Sequence, residues 1–215
     1  MKMQASKLTQ NLTEEIKMVI QKAHKLQDLS NDELNFRPNT ESWTILECIE
    51  HLNRYSDFYL QEIEKRIDEK MDKNKSTNNG KSKLSQDYIF KSGFLGNYSA
   101  NSMLPNSKGK KAGQINKMTT FKDKNPIHSG VDRGVLETFI EDQNEFIRLL
   151  VKSQYVDWNK TKVSLTLPLL KFNLGDTFRF VINHEIRHFI QISVILSHSE
   201  NDFSKNKIIE YTIKS

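Results

Sequence analysis

The chain has 215 residues, of which 27% are charged and 36% are hydrophobic, a composition typical of one globular domain. Much of the lysine behind the formal net charge of +5 lies in two loop-like stretches, so we do not expect a nucleic-acid partner. The single cysteine, Cys48, excludes an intramolecular disulfide. No apolar leader or run of about 20 apolar residues occurs, so we expect no membrane span and a cytoplasmic location.

The spacing of apolar residues predicts an all-α fold with four main helices. The fourth of them is apolar on most sides, which predicts a central position in the bundle. Asn173 and Asp176 suit the N-terminus of that helix. The predicted helices cover residues 6–28, 44–71, 130–153 and 173–197.

Two patterns of Ser or Thr followed three residues later by Glu predict where helices begin. Ser30 and Glu33 predict a short helical turn, and Thr44 and Glu47 predict the start of the second main helix. We interpret Glu47 as a capping residue in preference to a residue that supports a metal ligand.

The connecting segments carry weaker patterns. Residues 72–83 are polar and predict a solvated loop, and the long segment 84–129 predicts either a short helix near 88–98 or an ordered loop. Alternating apolar residues predict small strands at 163–167 and 209–213. We expect a single domain over residues 1–215, in which 72–83 and 199–215 are peripheral.

The most informative motif lies in the fourth helix. His184 and His188 are four residues apart, so they point from one face and can bind one metal ion. The bare H-E-x-x-H pattern is that of zinc proteases, with Glu185 as general base. A pair of hydrogen-bonded core histidines is the alternative. Gln191 extends the same line and either orients a ligand or makes a core hydrogen bond.

His51 lies at the edge of the second helix's apolar face and is the third candidate ligand, because a site open to substrate needs three protein ligands. A protease would need a further histidine at position 194, where Val194 stands, or a glutamate from a later helix. Only Glu200 and Glu210 follow, on a polar tail. The sequence therefore favours a metal site and disfavours a protease.

The other polar candidates receive no site role. Cys48 is assigned to the core, and Trp43 and Arg37 to the entry of the second helix. The remaining side chains are assigned to the surface or to loops: His24, His128, His198, Arg187, Lys108, Lys110 and Lys111.

Two stretches of the chain resemble the DinB-like family. Residues 42–52, SWTILECIEHL, resemble the family's second-helix signature, and residues 174–192 resemble its fourth helix. The spacing between them also fits, and Arg37 and Pro38 belong to the first stretch. The nearest subgroup includes bacillithiol S-transferases and proteins described as metal-dependent hydrolases.

The resemblance implies a four-helix bundle of the up-down-down-up type with a long crossover between the second and third helices. It implies a divalent metal ion, zinc or nickel, held by His51, His184 and His188, and a homodimer. The implied activity is that of a metal-dependent enzyme on small molecules, of thiol S-transferase type, with a low-molecular-weight thiol as cosubstrate. A metal-dependent hydrolase and a non-catalytic bundle of stress response that binds metal or ligand remain alternatives. Gln191 is the one candidate for a supporting role.

Overall fold

A computed structural model of the chain describes residues 1–77, 88–105 and 118–199. Over these ranges the chain is mostly helical, which confirms the predicted all-α class. None of the helices in the described part is long and apolar enough to cross a membrane. The elements in chain order are β1 (Lys2–Gln4), α1 (Ala5–Gln27), α2 (Asn31–Asn35), α3 (Ile45–Thr77), β2 (Ile89–Lys91), α4 (Phe94–Ser102), α5 (Val135–Lys152), β3 (Lys162–Ser164), β4 (Lys171–Asn173) and α6 (Leu174–Ser199).

The four main helices lie close to where the apolar periodicity places them, as α1, α3, α5 and α6, but the predicted start of the third was wrong, because α5 begins at Val135 and not at residue 130. The prediction was wrong for residues 72–77, which continue α3 instead of forming a loop. No glycine or proline interrupts this stretch, so nothing in it stops a helix. Residues 78–83 lie outside the described ranges, as do the predicted strand at 209–213 and the tail beyond Ser199.

Both predicted helix starts have the expected hydrogen bonds. Ser30 and Glu33 form a reciprocal capping box at the start of α2. At the start of α3, the backbone N–H of Glu47 donates to Thr44 Oγ1 over 3.1 Å, and the Thr44 N–H donates to Glu47 Oε2 over 2.9 Å. These bonds satisfy donors that a helix N-terminus otherwise leaves without partners, which fixes where each helix begins.

The long helices pack in pairs around one apolar core. α1 packs against α5 and α6, and α3 packs against the same two helices. Near the start of α5, the Val135 carbonyl accepts a hydrogen bond from Asn53 Nδ2 of α3. At the end of α5, Lys152 pairs with Asp68, which lies further along α3. Because residue numbers rise in the same direction along both helices, α3 and α5 run parallel. A long connection between them is therefore required.

Two short antiparallel strand pairs flank the helices. β1 pairs with β2, and β3 pairs with β4 with Val163 opposite Phe172. The predicted strand at 163–167 is confirmed only at its start, because Leu165 and Leu167 lie beyond the end of β3. β1 and β2 were not predicted, because three-residue strands are too short to show an alternating pattern.

Helix α4 docks on α6 through Asp176, a residue that the sequence analysis placed only at the N-terminus of α6. Asp176 accepts hydrogen bonds from the Gly93 N–H, over 2.7 Å, and from the Ser92 hydroxyl, and it pairs with Arg179. Asp176 thereby caps the start of α4 as well as lying in the first turn of α6. The short helix predicted near 88–98 is present but begins later, at Phe94.

Candidate metal centre

The three predicted histidines come together between α3 and α6. His51 Nε2 lies 3.2 Å from His184 Nε2, which lies 3.0 Å from His188 Nε2. His51 and His188 are buried, with 2% and 6% of their surface exposed, and His184 is partly buried. In the described part of the chain, this is the cluster of His, Cys, Asp and Glu side chains that could hold a metal ion.

Hydrogen bonds at the far side of two rings fix the positions of their protons. His51 Nδ1 lies 2.7 Å from the carbonyl oxygen of Lys124, and His188 Nδ1 lies 2.9 Å from Gln191 Oε1. Carbonyl oxygens only accept, so Nδ1 carries the proton in both neutral rings. The Nε2 lone pairs of His51 and His188 therefore point towards the cluster, as metal coordination requires.

Hydrogen bonds among the three rings do not give every Nε2 atom a partner. His184 Nε2 can donate at most one proton, while two acceptor lone pairs from His51 and His188 face it. A cation placed between the three rings would accept all three lone pairs. Metal–nitrogen bonds of about 2.0–2.1 Å in a tetrahedral site place the nitrogens about 3.3 Å apart. The observed separations of 3.0 and 3.2 Å therefore fit such a cation.

Burial keeps these imidazoles neutral. It lowers the pKa of His51 to about 4, and the nearby charges of Arg54, Lys124 and Arg187 act in the same direction against a stabilising bond to the Lys124 carbonyl. The pKa values of His184 and His188 are also lowered well below the usual value, mainly by burial and then by the neighbouring imidazoles. Neutral imidazole is the form that binds metal, so the site is ready for a cation at neutral pH.

Aromatic side chains surround the cluster. The Trp43 ring lies 4.7 Å from the His51 ring and stacks on His188 at 5.7 Å. The Tyr55 ring lies 5.0 Å from the rings of His51 and His184, and Phe180 stacks on His184 at 6.4 Å.

The sequence-based prediction missed all three aromatic roles. Trp43 was assigned only to the entry of the second helix. Tyr55 lies four residues after His51 and Phe180 four residues before His184, so helical spacing was a usable signal for both.

Residues 121–128, which we call the strap, lie across the first turns of α3. The Lys124 carbonyl holds His51, and the Trp43 Nε1–H donates to Asn125 Oδ1 over 3.1 Å. The backbone N–H of His128 donates to Glu47 Oε1 over 2.6 Å. The strap thus fixes one candidate ligand and one aromatic neighbour from a segment more than 70 residues away in the chain.

A sequence profile of the DinB superfamily matches residues 15–192, most of the chain and all three clustered histidines. The chain belongs to the DinB superfamily. No curated protein and no solved structure matches it.

In this DinB-superfamily chain the glutamate of the H-E-x-x-H pattern faces away from the histidines. Glu185 Oε1 accepts a hydrogen bond from Gln143 Nε2 of α5 over 3.1 Å, and Glu185 is 1% exposed. Burial raises its pKa to about 8. Its contact with Gln143 gives Glu185 a place in the core instead of beside a bound substrate.

The remaining candidates mostly lie where the sequence placed them. Cys48 is fully buried, which raises its pKa, and His24, His128 and His198 are exposed. Arg187, expected at the surface or in an interface, is half-buried, and its charge acts on all three clustered histidines, which the sequence did not indicate. The lysines at 108, 110 and 111 and the glutamates at 200 and 210 lie outside the described residues.

Proposed function

We propose that the protein binds one divalent metal ion through His51, His184 and His188 and is a metal-dependent enzyme of thiol S-transferase type. The observation that carries the proposal is the convergence of three Nε2 atoms, two of them with the tautomer fixed by an outer hydrogen bond. Zinc or nickel suits ligands that are all imidazole nitrogens. Membership of the DinB superfamily adds support.

The surrounding side chains supply the environment for a small substrate. A divalent cation at this site would lower the pKa of a thiol or water that it binds. Trp43, Tyr55 and Phe180 present apolar rings that limit access of water. Burial raises the pKa of Tyr55 to about 12, which keeps this neighbour of His51 and His184 uncharged.

The side chains near the histidines suit either thiol transfer or hydrolysis, and the resemblance to bacillithiol S-transferases is the reason that thiol transfer is proposed first. The described neighbours of the three rings include aromatic side chains, Gln191, a backbone carbonyl and the charge of Arg187, whereas Glu185 lies against Gln143. A bound divalent cation would help either a thiol or a water to lose its proton, so neither route needs a carboxylate beside the histidines. A metal-dependent hydrolase and a non-catalytic metal- or ligand-binding bundle are the alternatives.

We further infer that the chain is a single four-helix-bundle domain of the up-down-down-up type and forms a homodimer. The parallel course of α3 and α5 supports this order of helix directions. Light scattering coupled to size-exclusion chromatography tests the dimer, and a monomer mass at micromolar concentration contradicts it.

Metal analysis of the purified protein tests the site directly. We expect about one equivalent of divalent metal in the wild type and in His24→Ala, whose histidine is exposed. His51→Ala should lose most of it, because only two candidate ligands remain. A wild type with less than half an equivalent, unchanged by His51→Ala, would overturn the metal site and with it the proposed enzyme.

A thiol-transfer assay tests the activity. The metal-loaded protein is incubated with small thiols, including bacillithiol, and a fluorogenic electrophile of the monochlorobimane type. We expect acceleration by wild type and by His24→Ala but not by His51→Ala or by chelator-treated protein. If the loaded protein is no faster than free metal, the transferase proposal fails while the metal site stands.

A further inference from the structure

A basic cleft lies where the C-terminal half of α3 meets the β3–β4 pair. It encloses about 180 Å³. Glu69 is the one acidic side chain among its described lining residues. The lining carries six cationic side chains: Arg66, Lys70, Lys73, Lys160, Lys162 and Lys171.

Regular secondary structure brings the lysines together. Lys70 and Lys73 follow Arg66 at positions four and seven along α3, so all three share one helix face. In the strand pair, Val163 and Phe172 point into the core. Lys162 and Lys171 precede them in their strands and therefore point to the opposite face, towards the cleft.

Arg66 holds the two walls of the cleft in place. Its guanidinium contacts Glu62 at 2.8 Å, Glu69 at 3.0 Å and Ser164 Oγ at 3.4 Å. Arg66 thus engages Glu62 and Glu69, and Lys160 pairs with Asp157. Lys70, Lys162 and Lys171 form no ion pair with a described carboxylate, so their charges are available to an anion. A concave surface on which one charge sign predominates concentrates such counter-ions.

We propose that this cleft binds a compact polyanion, a small molecule with two or more phosphate groups, through Lys70, Lys162 and Lys171. Its volume suits a small ligand, and a nucleic-acid duplex would need a long, extended basic surface. Arg66 lies about 22 Å along the axis of α3 from His51, at 1.5 Å per residue. The cleft is therefore separate from the histidine cluster, and this proposal does not depend on the proposed function.

Calorimetric titration of the metal-free, full-length protein with sodium pyrophosphate tests the cleft. We expect saturable binding that weakens as salt is raised. Lys162→Gln/Lys171→Gln should weaken binding about tenfold or more, since each lost contact removes a charge-assisted hydrogen bond. Lys7→Gln/Lys17→Gln removes the same charge from the exposed face of α1 and should bind within about twofold of wild type.

Three results with the wild type and the double variants would overturn the assignment. One is no measurable binding by wild type, and another is an equal loss in both double variants. The third is tight binding of duplex DNA with no binding of pyrophosphate, which would assign the lysines to a nucleic-acid backbone. Lys70→Gln is a second test on α3 in case the strand variant folds poorly. His51→Ala should bind pyrophosphate as wild type does, and loss of binding there would move the anion to the histidine cluster.

Discussion

His51 Nδ1 donates a hydrogen bond to the carbonyl oxygen of Lys124 over 2.7 Å, between residues 73 positions apart. This bond leaves the Nε2 lone pair of His51 directed at His184. The position of the Lys124 carbonyl depends on how the strap is anchored to the first turns of α3. The strap is therefore expected to influence metal affinity without contributing a side-chain ligand.

Loosening the strap should weaken metal binding. Asn125 Oδ1 accepts from Trp43 Nε1 and from the Ile127 N–H, so Asn125→Ala removes one anchor of the strap and one bond within it without changing any charge. We expect the dissociation constant for Zn²⁺, measured by chelator competition, to rise about tenfold. Asn159→Ala is the matched control, because Asn159 likewise bonds backbone groups, those of β2, away from the histidines. Equal affinity in both variants would refute the role of the strap.

Gln191 should tune the basicity of His188. Its Oε1 accepts the Nδ1 proton of His188 over 2.9 Å, and leucine at this position offers no acceptor. We expect Gln191→Leu to weaken Zn²⁺ binding by about tenfold to a hundredfold. Gln191→Glu keeps an acceptor and should bind at least as tightly as wild type. The prediction fails if leucine and glutamate at position 191 give the same dissociation constant.

Asp142 makes the stability depend on pH. Burial first, and then the charges of Asp57 and Glu141, raise the pKa of Asp142 to about 7. The unfolded chain, with an aspartate pKa near 3.9, binds fewer protons than the folded one between about pH 4 and pH 7. The contribution of Asp142 to stability is therefore complete below about pH 4 and is lost as the pH rises towards 7.

Asp142→Asn removes this titration, because asparagine stays neutral. By urea unfolding we expect a gain of about 1–2 kcal/mol at about pH 8 and almost none at about pH 4. Glu41→Gln removes an exposed charge that is not among those acting on Asp142 and should change stability by less than about 0.5 kcal/mol at either pH. A gain for Asp142→Asn of the same size at both pH values would contradict the explanation.

Gly96 is required where α4 meets α6. A Cβ atom at Gly96 would lie 2.6 Å from Asp176 Oδ2, and Asp176 is fully buried. Gly96→Ala should therefore cost about 1–3 kcal/mol in the free energy of unfolding. At Gly93 the nearest atom to an added Cβ is 3.6 Å away, an ordinary contact, so Gly93→Ala on the same segment is the control. Thermal unfolding that shifts equally in both variants would count against this packing.

The sequence determined those features that depend on local spacing. Apolar periodicity located α1, α3, α5 and α6 because it reports which face of a helix is buried. The reciprocal Thr44 and Glu47 pattern placed the start of α3, because the cap bonds form within four residues. The pairing of His184 with His188 followed from helix geometry, and the choice of His51 came from its place on an apolar face.

Tertiary structure alone decided the contacts made across the chain. The bond from His51 to Lys124, the stacking of Trp43 on His188 and the docking of Asp176 on α4 join segments that no periodic pattern connects. Their geometry depends on how the helices and the strap pack, because a sequence pattern records burial but not the partner. The basic cleft is also formed by segments that are distant in the sequence, since α3 and the β3–β4 pair each supply part of its lysines.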